Sequence, residues 1–205
     1  MPREDAYARA PRLPDGAPLD PASLFEAAGG PIELDVGPGR GGFLFERLAA
    51  DPAVRLLGLE VRRKWATLVD DRLRARGLGG RARCFAEDAG FALPRLKDAS
   101  LRAVFVHFPD PWWKKRHRKR LVVVPAFVAE VVRVLEPGGD LFVQTDVLER
   151  AEDYEAVLSA STTLCEAGDG AGPRLAENPY GARSPREHRA LADGLPVFRL
   201  RYRRQ

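Results

Sequence analysis

Apolar and polar positions fall into short blocks along this chain, and from residue 32 the blocks change period in a regular order. Ile32 to Val36 is an apolar stretch ending in a glycine turn, the pattern of a buried strand. Phe43 to Ala50 follows as a helix, with Phe43, Leu44, Leu48 and Ala49 available for packing. Val54 to Leu59 predicts a second strand, ending at Glu60. Arg62 to Arg76 is strongly charged, but Trp65, Leu68, Val69 and Leu73 fall at helical spacing. Ala82 to Ala86 predicts a third strand ending at Asp88, and Leu101 to His107 a fourth. Pro125 to Leu135 reads as a helix opened by proline and stopped by Pro137-Gly138-Gly139. Leu141 to Gln144 is a fifth strand, followed by Thr145-Asp146, and Glu149 to Ala160 a further helix. Gly168 to Arg183 is rich in Gly and Pro and reads as a loop. Val197 to Tyr202 interleaves apolar residues with arginines, as a late antiparallel edge strand does.

Strand and helix alternate at least five times, which predicts an α/β fold with a doubly wound, mostly parallel sheet. Residues 32 to 205 read as a single domain. Residues 1 to 31, rich in Pro, Arg and Ala, read as a partly flexible arm with one short helix near Pro21 to Ala28. In such sheets ligands bind beyond the carboxyl ends of the strands. Those ends carry Asp35, Glu60, Asp88, Asp110 and Asp146. Any one of them has a capping explanation. Five together point to a site, since Glu is not a favoured turn residue.

Composition narrows the partners. The formal charge is +4, from 33 basic and 29 acidic residues. Lys114 to Arg120 supplies six of the basic ones, so the remainder balances at 27 against 29. The basicity is therefore local, as in a patch that meets an anion. No apolar run approaches the roughly 20 residues that span a bilayer. The first residues lack the apolar core of a signal peptide, which leads us to expect a cytoplasmic protein. Cys84 and Cys165 form no CxxC and His107, His117 and His188 no metal-ligand spacing, so no metal is expected.

Asp35-Val36-Gly37-Pro38-Gly39-Arg40-Gly41-Gly42 is a nucleoside-cofactor turn, with glycines at 37, 39 and 42 in G-x-G-x-x-G spacing. The acid two residues before the first glycine would repel a pyrophosphate but suits an ammonium or sulfonium. S-adenosylmethionine carries both cations and no phosphate. Glu60 is placed for ribose hydroxyls and Asp88 for an adenine amino group. Phe108-Pro109-Asp110-Pro111-Trp112-Trp113 then sets one acid on a rigid turn before the cationic run. Trp112 and Trp113 suit either base stacking or closing of the core. Aromatics beside cations favour a nucleic acid surface over a solvated loop. Ser184-Pro185-Arg186-Glu187 reads by itself as a helix start, Ser capping with Glu three later.

Together these residues resemble the bacterial tRNA (guanine-N7)-methyltransferases, a class I family that methylates a guanosine in the tRNA variable loop. The resemblance runs from about Leu34 to Arg204. Its specific part is Phe108-Pro109-Asp110-Pro111-Trp112 followed by Lys114 and Arg116-His117-x-Lys119-Arg120. It implies a seven-stranded class I (Rossmann-like) sheet and action on guanosine 46. It implies cofactor contacts by Asp35, Gly37, Gly39, Glu60, Asp88 and Asp110, with Asp110 the acid of the catalytic site. It implies tRNA or guanosine contacts for Lys114, Asp146 and Ser184 to Glu187, beside the basic Arg116, Arg118, Lys119 and Arg120. Two departures stand out. Asp35 occupies a position where the family usually has Glu, and Thr-x-Phe-Glu appears as Ser184-Pro185-Arg186-Glu187, without the aromatic.

Guanine N7 has an in-plane lone pair and no proton, so its methylation needs alignment rather than a general base. A carboxylate near the base, Asp110 or Glu187 with Asp146 close by, would accept from N1–H and the 2-amino group and offset the charge of the product. Competing readings are a methyltransferase for proteins or metabolites, and a nucleic-acid-binding protein with an inactive methyltransferase fold. A nicotinamide oxidoreductase is disfavoured by Asp35 and by the lack of a Tyr-x-x-x-Lys pair.

Overall fold

The computed structural model describes residues 7–110 and 121–205. Five strands, β1 (Ile32–Val36), β2 (Arg55–Leu59), β3 (Ala82–Phe85), β4 (Leu101–His107) and β5 (Leu135–Thr145), pair in parallel. Three more, β6 (Leu164–Glu166), β7 (Arg174–Leu175) and β8 (Phe198–Arg204), complete the sheet. The strand order is β3-β2-β1-β4-β5-β8-β6, with β7 also paired to β8. The order reverses between β1 and β4, which is the switch point where an open α/β sheet holds its ligand.

Alternation within the strands sends two sets of side chains to two faces. Ile32, Leu34, Val36, Val104 and Val106 join a core with α4 (Pro125–Val134) and α5 (Leu148–Ser159), contributed by Val128, Val131, Tyr154 and Leu158. Phe105 and Phe142 face the other way. They share a core with Phe43, Leu44 and Leu48 of α1 (Gly42–Ala50) and Ala66, Val69 and Leu73 of α2 (Arg63–Ala75). A short α3 (Ala89–Ala92) and the late α6 (Pro185–Ala192) complete the helices. Among the described residues no helix is long and apolar enough to cross a membrane.

Several expectations change. The sheet has eight strands rather than seven, because two residues inside the Gly- and Pro-rich loop, Arg174 and Leu175, pair with Leu200 and Arg199. β8 is not an edge strand. It lies between β5 and the short β6, so its arginines cross a covered sheet. The helix opened by Pro125 ends at Val134, and β5 begins at once, with a register shift where it meets β4 near Leu101 and Ala103. Gly138, at φ +80°, lies within that irregular stretch. The segment before β1 contributes to packing: Ala10, Leu13 and Leu24 are buried, and the Ala86 N–H donates to the Pro11 carbonyl at 2.7 Å.

Candidate active site

Glu33 and Asp35 share the α1 face of β1 and meet opposite environments. Glu33 accepts from Arg47 at 2.8 Å and is also paired with Arg102. Asp35 is 1% exposed, and neither carboxylate oxygen has a hydrogen-bond partner. Burial, with a smaller contribution from the nearby Glu60 charge, pushes its carboxyl up to about 8. A buried carboxylate without a partner is costly. Here it lies at the carboxyl end of the strand beside the switch point.

The glycine turn follows. Gly37 and Gly39 have φ of +72° and +56°, a region that favours glycine, and a Cβ on either would meet nothing within 4 Å. The turn is thus held open toward a ligand rather than filled by neighbours. Glu60 fastens it: its two oxygens accept from the N–H groups of Gly39 at 2.9 Å and Arg62 at 2.8 Å. Each of those oxygens retains a second lone pair. Asp88 caps α3, accepting from the Gly90 N–H at 2.8 Å, and is exposed.

The ends of β4 and β5 form a second cluster. Phe108 has φ +47°, rare for a residue with a side chain, and its N–H donates to the Gln144 carbonyl at 2.8 Å. This strained residue presents Asp110 to solvent two positions later. The Gln144 side chain ties the same strand end to α6. Its amide nitrogen donates to Glu187 at 3.1 Å and lies 2.9 Å from His107 Nδ1. An amide donating to a carboxylate has its NH2 on that side, so His107 Nδ1 accepts and Nε2 carries the proton. Burial pushes His107 down to about 3, so it stays neutral.

Glu187 is fully buried. Its oxygens take Arg199 at 2.9 Å, Gln144 and Asn178 at 3.1 Å each, while Ser184 Oγ caps the helix by accepting from the Glu187 N–H at 3.2 Å. Asp146 is ion-paired with Arg186, Nε donating at 2.9 Å, so the position where the family aromatic is lost holds a cation over Asp146. The two clusters press together at Gly42, where a Cβ would lie 2.3 Å from Pro185 Cγ. Gly37, Gly39 and Glu60 thus join Asp35 in one cluster, and Asp146, Ser184 and Glu187 join the β4 end that carries Asp110. Asp88 stands on its own helix cap. Lys114, Arg116, Arg118, Lys119 and Arg120, with Trp112 and Trp113, lie outside the described residues.

His107, Gln144, Asn178 and Arg199 were not anticipated from sequence. The signal available was a polar residue at a buried position of an apolar run, in Val-Phe-Val-His and Leu-Phe-Val-Gln.

A family model described as a putative methyltransferase matches residues 29–200. A tRNA (guanine-N(7)-)-methyltransferase of Anaeromyxobacter dehalogenans is 42% identical over 197 residues, covering 92% of this chain and 96% of that protein. One from Myxococcus xanthus is 39% identical over 173 residues, covering 84% and 82%. This chain belongs to the tRNA (guanine-N7)-methyltransferase family.

Solved structures agree on the fold. The 16S rRNA methyltransferase KamB superposes with a TM-score of 0.60 at 16% identity, covering 90% of both chains. The [4+2]-cyclase SpnF gives 0.58 at 21% identity, covering 89% of this chain and 78% of that one. As a tRNA (guanine-N7)-methyltransferase family member, the chain has a donor set that fits S-adenosylmethionine. The partnerless Asp35 carboxylate matches a cation, and the open glycine turn with the spare lone pairs of Glu60 matches a nucleoside. Among the described residues no group of three or more His, Cys, Asp and Glu could hold a metal ion.

Proposed function

We propose that the chain methylates N7 of guanosine 46 in tRNA, with S-adenosylmethionine as methyl donor. The observation that carries the reading is Asp35: a buried, partnerless carboxylate at the switch point, stable as an anion only beside a bound cation. When bound, the cofactor supplies an electrophilic methyl group on a sulfonium.

The residues of the chain then divide the work. Asp35 faces the cationic methionine end. Gly37 and Gly39 give the backbone close approach, Glu60 accepts from ribose hydroxyls, and Asp88 accepts from the adenine amino group. Asp110, the exposed acid at the end of β4, accepts from guanine N1–H and the 2-amino group, turning N7 to the methyl and offsetting the positive charge of the product. No proton is removed at N7, so the site needs no general base. The neutral His107 is consistent with that.

Glu187 contributes from underneath. Its oxygens hold Arg199, Gln144 and Asn178, so it fixes α6 and, through Gln144, the turn that carries Asp110. Asp146 and Ser184 belong to the tRNA side of the site, with Arg186 set to exchange Asp146 for a phosphate. Lys114, Arg116, Arg118, Lys119 and Arg120 are assigned to tRNA phosphates, and such a substrate puts the enzyme in the cytoplasm. The test is methyl transfer to paired tRNA transcripts carrying G46 or A46. Incorporation into the first and not the second is expected. Equal incorporation into both would overturn the position.

A further inference from the structure

Many of the arginines among the described residues are matched with acids. Arg47, Arg83, Arg102, Arg133, Arg174 and Arg203 are examples spread over both faces. The outer surface of α1 and α2 differs. Arg40 and Lys64 lie over the Trp65 ring, at 4.8 and 5.3 Å from its centroid. Arg72 and Arg76 both lie 4.6 Å over Phe45. All four are exposed, and among the described residues none is ion-paired. Asp70, the acid that packs under this helix, is already taken by Arg74 and Arg83, and Asp71 is its one exposed acid. Arg40, Lys64, Trp65, Leu68 and Arg72 line a hollow of about 340 Å³.

Keeping four cations together costs mutual repulsion. Resting them on ring faces offsets part of it but leaves the charges unneutralised. A surface built this way is complementary to a polyanion. Lys64 and Arg76 stand about 18 Å apart along the helix axis, a span of several phosphates. The upper end of the strip, at Arg40, begins in the glycine turn of the active site, so an RNA whose guanine enters the site has backbone within reach.

We infer that this α1–α2 face is a second tRNA-binding surface, gripping the phosphate backbone on the side of the sheet away from α4 and α5. The inference rests on the proposed tRNA substrate. It concerns residues separate from the Lys114 to Arg120 run.

The test is the charge reversal K64E/R76E in the full chain, with the charge-retaining K64R/R76K beside it. Arg72 is left in place because it also donates to the Arg40 carbonyl of the glycine turn, at 3.0 Å. Titration with tRNA across salt concentrations gives the affinity and its salt slope. Calorimetry with S-adenosylhomocysteine shows that the cofactor site is intact. The reversed variant is expected to bind tRNA about tenfold to a hundredfold more weakly, with a salt slope smaller by about two. Its maximal rate at saturating tRNA stays unchanged while KM rises, and K64R/R76K keeps wild-type affinity. Wild-type affinity and slope in K64E/R76E would overturn the inference, as would an equal loss in K64R/R76K. If the wild-type chain itself neither binds nor methylates tRNA, the proposed substrate fails, and this surface with it.

Discussion

Replacing Asp35 by Asn isolates the proposed cofactor contact. In the ligand-free protein the Asp35 carboxyl sits at about 8, raised first by burial and then by the Glu60 charge. A cationic ligand needs the anion, so binding expels the proton. Below pH 8 each pH unit then costs about 1.4 kcal/mol, or tenfold in affinity. Between pH 8 and pH 6 the dissociation constant of S-adenosylmethionine should rise about fiftyfold. D35N should bind about tenfold to a hundredfold more weakly at pH 8, the cost of one charge-assisted hydrogen bond, and with little dependence on pH. Isothermal calorimetry at pH 6, 7 and 8, in buffers of different ionisation enthalpy, reads both the affinity and the proton released. A wild-type affinity constant within twofold over that range, or the same slope in D35N, would refute the reasoning. Stability gives an independent reading. A carboxyl that titrates near 8 when folded and near 3.8 when unfolded makes the free protein lose stability as pH rises between those values. His107 acts in the opposite sense, since its depressed value makes stability rise from about 3 to 6.5. The Asp35 effect is therefore clean only from pH 6.5 to 8, where it amounts to about 2 kcal/mol and should vanish in D35N.

Other outcomes follow from the same contacts. R199M leaves the fully buried Glu187 charge without its cation and should lower urea-unfolding stability by about 3–5 kcal/mol, with E187M/R199M recovering much of it. Q144L keeps the backbone bond to Phe108 but frees the β4 tip from α6. Its maximal rate should fall while S-adenosylhomocysteine affinity holds, and a parallel loss of both would argue against a positioning role. G42A drives a methyl group into Pro185, which should cost about 1–3 kcal/mol by denaturation and displace α6. H107N should remove the His107 gain that offsets the Asp35 loss, so that thermal stability falls as pH rises from about 4 to 6.5 where the wild type stays nearly level, leaving the neutral-pH rate profile unchanged in shape.

The parallel core and the acidic strand ends were legible because both follow from local pattern. Ile32, Leu34 and Val36 alternate with Glu33 and Asp35, and the glycine turn comes directly after. What separates the two acids is not local. Arg47 and Arg102, 14 and 69 residues away, neutralise Glu33 and leave Asp35 alone. Glu187 shows the same limit. Ser184-x-x-Glu187 reads correctly as a cap, yet nothing near it in sequence announces that Arg199, Gln144 and Asn178 converge on its carboxylate. β8 read as an edge because its outer partners are a three-residue and a two-residue strand, too short to leave a pattern.

The most direct measurement is nucleoside analysis of tRNA incubated with the purified chain and methyl-labelled S-adenosylmethionine, digested and resolved by mass. The account predicts label in 7-methylguanosine, and none from D110N despite its retained cofactor binding. Label in another nucleoside, or full 7-methylguanosine from D110N, would contradict it.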